Sequence, residues 1–107
     1  DWFRAHLTTD PRVKSAPFRV VAMHQPEWGW LQDGPGDWIA AANAAKVDLV
    51  IAGHNHRFSY EPPNATHAYH LVVVGQDQLA MVRATETGLV VTVTGTDGQL
   101  VREIVVK

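Results

Sequence analysis

The sequence predicts an α/β fold, a βαβ unit followed by an antiparallel β-meander, and three observations predict it. Two apolar runs, 18–23 and 48–53, flank an Ala-rich stretch, and unbroken runs of this kind suit strands covered on both faces, as in parallel sheets. Runs rich in Val and Thr follow at 70–74, 79–84, 89–94 and 100–106, separated by turn signals. The chain has 107 residues, 46% hydrophobic and 19% charged, which is one globular domain or fragment with material for a single core. Within it, 1–56 forms the βαβ part and 57–107 the β-rich meander.

In chain order, residues 1–9 read as the last turns of a helix, with Trp2, Phe3 and Leu7 near one face. The opening Asp1-Trp2-Phe3-Arg4 reads as the middle of that helix, so a longer parent chain is expected. Asp10-Pro11 marks a stop, because the residue before Pro is pushed out of the α region. Run 18–23 is mostly apolar and rich in β-branched residues, reads as a buried strand, and ends at His24-Gln25-Pro26. Pro26, Gly29, Gly34, Pro35 and Gly36 make 25–36 a loop. Asp37 suits the N-cap of a helix over 38–46, and Lys46 suits the negative end of its dipole. Run 48–53 is the second strand, ending at His54; a right-handed crossover makes the two strands parallel. Pro62-Pro63-Asn64 is a turn, Glu86-Thr87-Gly88 a fair hairpin signal and Asp97-Gly98 a strong one.

Charge and composition exclude several functions. Nine basic against eleven acidic residues give a net charge of −2, so no basic surplus speaks for nucleic acid and no polybasic run for anionic membranes. No apolar run approaches the ~18 residues that span a bilayer. There is no cysteine, which removes disulfide scaffolds, Cys-ligated zinc, iron–sulfur clusters and thiol nucleophiles together. No leader-peptide pattern is visible, and the compartment stays open.

The chemistry-bearing residues are histidines. Both buried strands end in one, at His24 and at His54-Asn55-His56. In a βαβ unit the C-terminal ends of both strands share one sheet edge, where open α/β folds place their sites. His54 and His56, two apart in an extended segment, put both rings on one face at about 6.6 Å between Cα atoms. They can ligate one metal, or one each of two metals. Gly53 supplies backbone freedom for a turn and the approach of an ion. A lone strand-end His is ordinarily a hydrogen-bonded surface residue; the joint placement of His24, His54 and His56 is what points to a metal site.

These residues resemble a family. His24-Gln25-Pro26 after an apolar strand, then a helix, then Asp48-Leu49-Val50-Ile51-Ala52-Gly53-His54-Asn55-His56 resemble the C-terminal half of a calcineurin-like metallophosphoesterase, in the group of purple acid phosphatases and related bacterial phosphohydrolases. The likeness covers residues 1–60 or so, and the Gly-His-x-His element is its most specific part. It implies half of an α/β sandwich of two mixed sheets flanked by helices. It implies hydrolysis of phosphomonoesters or phosphodiesters by a metal-activated hydroxide, at a site holding two divalent or trivalent ions (Fe, Mn or Zn). His24 and His54 would hold the second metal and His56 the first. The family's Asp-x-His, Gly-Asp-x-x-Asp and Gly-Asn-His motifs are absent from these 107 residues, and with them the bridging carboxylate, the Asn ligand and the general acid. Gln25 and Glu27 stand where the family often has His and Pro.

Ligand counting agrees without the family: a pair of hydrolase metals takes at least about eight contacts, and three histidines supply three. No catalytic residue is assigned, and the chain alone is expected to be inactive. Expected partners are a phosphate-ester substrate, the missing N-terminal half of the domain and, through exposed sheet edges or faces, a second copy. The Val-rich runs 70–74, 89–93 and 104–106 are expected to supply the surface most in need of cover, met either by that second copy or by the meander packing back on the βαβ unit.

Other residues have plainer readings. Trp28, Trp30 and Trp38 anchor the loop after His24 onto the helix, the alternative being that they line a substrate cleft. His67 and His70 read as exposed polar residues beside a strand start, the alternative being outer metal ligands, and Asp48 is a turn residue at the wrong end of the sheet for catalysis. Asn64-Ala65-Thr66 fits a glycosylation triplet with nothing else to support secretion. Two rival functions stand beside the phosphoesterase. One is a cupin-like metal-binding β-domain using His54, His56 and Glu61, and the other a non-enzymatic interaction domain.

Overall fold

The structure, a computed structural model, describes residues 2–26 and 34–107. Two helices open it, α1 (Trp2–Thr9) and α2 (Pro11–Ser15). Asp10-Pro11 therefore ends one helix and starts another. The Asp10 carboxylate caps α2 by accepting from the Arg12 backbone N–H at 2.8 Å, and Pro11 fills the first helical position, where no N–H is needed. The Arg12 guanidinium, also on this carboxylate at 2.9 Å, holds Asp10 down to a pKa of about 2.

The βαβ unit follows: β1 (Val20–Ala22), α3 (Gly34–Ala44) and β2 (Leu49–Ala52), with β1 and β2 parallel. Helix α3 begins at Gly34, so Asp37 lies inside it rather than at its N-cap. It ends two residues before Lys46, which takes φ 55° while the Val47 N–H closes back on the Ala42 carbonyl at 3.0 Å. That is a Schellman-type stop with Lys in the usual glycine position.

The remaining strands are β3 (Ser59–Glu61), β4 (His70–Val73), β5 (Gln78–Ala84), β6 (Leu89–Gly95) and β7 (Leu100–Val105). They do not form one meander. β4 joins the first sheet, parallel to β2, and β3 pairs antiparallel with β4, giving the order β1-β2-β4-β3. Only β5-β6-β7 is the antiparallel meander, closed by turns at 85–88 and 96–99. The expected boundary at residue 57 thus falls inside the first sheet, because β4, apolar after His70 and buried at Val72 and Val73, fits beside β2.

The chain packs in three layers. On one face of the first sheet, Val21, Val50 and Tyr69 meet Leu7, Trp38 and Ala42 of the helices. On the other, Leu49 and Val72 meet Leu89, Val91, Val93 and Ile104 of the second sheet. Truncating a fully buried member such as Leu49 to Ala costs about 2–5 kcal/mol. The runs at 70–74 and 89–93, expected to need cover, therefore cover each other as the second sheet packs back on the first.

β1 is an edge strand and is not buried on both faces. Val21 is buried under the helices, while Val20 on the opposite side is 42% exposed. A cleft of about 710 Å³ lies beside it, lined among others by Phe3, Leu7, Val13 and Phe18.

Candidate metal site

The two strand-end histidines meet. β1 and β2 run side by side in register, Val20 opposite Leu49 and Ala22 opposite Ile51, so the residues just past their C-terminal ends are neighbours. Two hydrogen bonds carry the pairing past the strands: Met23 N–H to the Ile51 carbonyl at 2.9 Å, and Gly53 N–H to the His24 carbonyl at 2.8 Å. The rings follow the backbone. His24 Nε2 and His54 Nδ1 lie 3.0 Å apart with the ring planes at 84°. Both histidines are exposed, and one ring N–H lies between the two nitrogens.

The His54-x-His56 segment is not extended. His54 has φ 73° and His56 φ 59°, and the Asn55 N–H bonds the Gly53 carbonyl at 2.8 Å, so the chain turns tightly as it leaves β2. The turn falls on the histidines and not on Gly53, where a Cβ would meet the His24 carbonyl oxygen at an ordinary 3.7 Å. A non-glycine residue in the left-handed region costs about 1–2 kcal/mol, and such strain gathers at functional sites. His56 is exposed, with its carbonyl tied to the Gln76 N–H at 3.2 Å. Among the described residues no set of three or more His, Cys, Asp or Glu side chains is placed to share one ion.

Glu61 belongs elsewhere. Its Oε2 lies 3.2 Å from His67 Nε2, and it sits on β3 of a mixed sheet with a helical crossover, so the cupin-like barrel is not this fold. His67 is buried, contrary to the exposed position expected of it. Its ring stacks on Tyr69 at 4.7 Å, its Nδ1–H donates to the Tyr69 carbonyl at 2.8 Å, and its Nε2 accepts from Asn64 Nδ2 at 3.0 Å. The Asn64 orientation is fixed because its Oδ1 accepts from the Thr66 and His67 N–H groups. This cluster was missed because hydropathy does not register a polar side chain satisfied by near neighbours; Asn64 three residues before His67 is the signal for it. Half-buried His70 pairs with the Tyr60 hydroxyl at 2.8 Å, and burial pushes it below the usual imidazole range.

Asp48 stands at the far end of the sheet, as expected, and is a clamp. Its carboxylate accepts from Arg19 N–H at 2.8 Å and pairs with Lys107 Nζ at 2.8 Å. Trp38 is buried between Phe3, stacked at 5.4 Å, and Tyr69, edge-on at 5.9 Å. Trp28, Trp30 and Glu27 lie outside the described residues. A cleft of about 320 Å³ opens beside the histidine loops, lined by Pro26 and Asn55 and by Ser59, Glu61 and His67.

No protein-family profile matches the sequence, and no curated protein does. Among solved structures, the chain is similar to a Vps29 double mutant from Entamoeba histolytica, with 13% identity and a TM-score of 0.45. The likeness covers 70% of this chain and 49% of that one, so the chain spans about half the length of the structure it matches.

Proposed function

We propose that this chain is the C-terminal part of a dinuclear-metal-dependent phosphoesterase. The observation that carries the reading is the 3.0 Å approach of His24 Nε2 to His54 Nδ1 at the ends of adjacent parallel strands. Two imidazole nitrogens held by one ion at about 2.0–2.1 Å each stand about 2.9–3.4 Å apart. The observed spacing falls in that range; with the intervening proton moved to the far nitrogen of its own ring, both nitrogens would offer a lone pair to an ion. Neutral imidazole suits Zn, Fe or Mn.

The ions, when bound, would neutralise phosphoryl oxygens of the ester and activate the attacking water. The chain's own residues do the positioning. The Gly53–His24 backbone bond sets the separation of the strand ends, and the left-handed turn at His54 aims its ring back at His24. His56 is assigned to the first metal by resemblance alone. The cleft bordered by Pro26 and Asn55 gives the ester's leaving group a place beside the histidines. The free edge of β1, with the cleft alongside it, is where an N-terminal half carrying the remaining ligands would add its strand.

Zinc or manganese titration by calorimetry tests this reading. Saturable binding that disappears in both His24→Ala and His54→Ala is expected; binding unchanged by either substitution overturns it. The 107 residues alone are expected to show no turnover of an activated phosphodiester with Mn or Zn. Metal-dependent turnover lost in His54→Ala would mean that the chain holds a complete site.

A further inference from the structure

The outer face of the second sheet exposes several large apolar side chains where an antiparallel sheet ordinarily turns polar residues to water. Residues paired across strands share a face. Register therefore sets three rows on the outer face of β5-β6-β7: Leu79, Thr94 and Leu100; Met81, Thr92 and Glu103; Arg83, Val90 and Val105. The opposite face carries Val91, Val93 and Ile104, which are buried against the first sheet. On the outer face Leu79 is 62% exposed, Met81 71%, Leu100 62% and Val105 66%. The charges of that face are Arg83 and Glu103, opposite in sign, on opposite outer strands and one row apart. Neither makes an ion pair among the described residues.

We propose that this face is the interface of a homodimer, two copies packing it face to face about a two-fold axis along β6. That axis lays β5 of one copy over β7 of the other without reversing the rows. Leu79 then covers the partner's Leu100, Met81 the partner's Glu103 and Arg83 the partner's Val105, and the Arg83 guanidinium reaches the partner's Glu103 from the next row. By symmetry this happens twice. The other in-plane axis, across the strands, stacks Glu103 on the partner's Glu103 and sets Leu79 against the partner's Arg83. Charge therefore selects both the second copy as occupant and the axis that relates it.

Three strands of this length present a footprint of about 20 by 14 Å, well under the ~800 Å² per partner of stable complexes. The dimer is accordingly weak and concentration-dependent.

Sedimentation equilibrium of the 107-residue chain, from about 10 μM to about 1 mM, tests it at the concentrations where small interfaces form. The average mass should climb from 11.8 kDa toward twice that value. Leu79→Ser should leave a monomer with an unchanged circular dichroism spectrum. Arg83→Glu and Glu103→Arg should each weaken association about tenfold, and the two together should restore it to within about threefold. A monomer throughout overturns the proposal. So does a dimer indifferent to Leu79→Ser, which would place association at another surface such as the β1 edge. A charge-swapped double variant that stays weak overturns the axis and with it the interface.

Discussion

The Gly53 amide donates to the His24 carbonyl at 2.8 Å, and together with the Met23–Ile51 bond it ties two segments that are far apart in the chain. It prolongs the parallel pairing of β1 and β2 past the strands proper, and the two imidazoles meet because of it. The bond needs the Gly53 N–H but not a glycine. Gly53→Ala is expected to fold with stability within about 1 kcal/mol of the parent, since its Cβ finds only ordinary contact. Urea denaturation measures this; a loss above about 3 kcal/mol would mean that the turn depends on glycine after all.

Arg19 ties the helices to the sheet through its side chain. Its guanidinium donates to the carbonyls of Val13 at 2.7 Å, Lys14 at 2.5 Å and Ala45 at 3.0 Å, placing a positive charge beside the C-terminal ends of α2 and α3. Arg19→Met should cost about 2–4 kcal/mol, because three hydrogen bonds from a charged donor to helix-end carbonyls are lost together. Thermal or urea unfolding checks it, and a change below about 0.5 kcal/mol would refute the role.

Stability should fall on mild acidification, and His70 is the cause. Burial holds its pKa below the ordinary 6.5, against a smaller opposing effect of Asp48, while His67 pushes it further down. The unfolded chain therefore takes up the proton first. Stability is full above about pH 6.5 and falls below it, levelling off once the folded ring also protonates. In unfolding measured between pH 8 and pH 5, His70→Gln should flatten the slope; an unchanged slope would assign it to another group.

Much of this was legible in the sequence, and the failures share a cause. β1, α3, β2 and the last three strands follow from apolar runs and turn residues, which are local signals. Where β4 pairs is not local: His70-Leu71-Val72-Val73 fits an antiparallel meander as well as a parallel slot beside β2, and burial on both faces decided it. β3, at Ser59-Tyr60-Glu61, is too short and polar to show a period. The meeting of His24 and His54 was legible because parallel strands align their ends. The turn that bends His54-Asn55-His56 was not, since its left-handed residues are histidines and the flexible-looking Gly53 stays out of it.

That turn separates stability from binding. His54→Gly removes the left-handed strain and the ring together, so the variant should keep its stability or gain up to about 1 kcal/mol while losing metal affinity. Denaturation and metal titration on the same sample measure both. A variant that loses stability and affinity in parallel would show that His54 serves the fold.

Following the histidine ring nitrogens by nitrogen NMR during a zinc titration tests the pairing of His24 with His54 as ligands most directly. His24 Nε2 and His54 Nδ1 should shift together and saturate together, while the ring nitrogens of His67 and His70, held by Tyr69, Asn64 and Tyr60, stay in place. Zinc that moves His67 or His70 and leaves those two nitrogens unshifted would contradict the metal site.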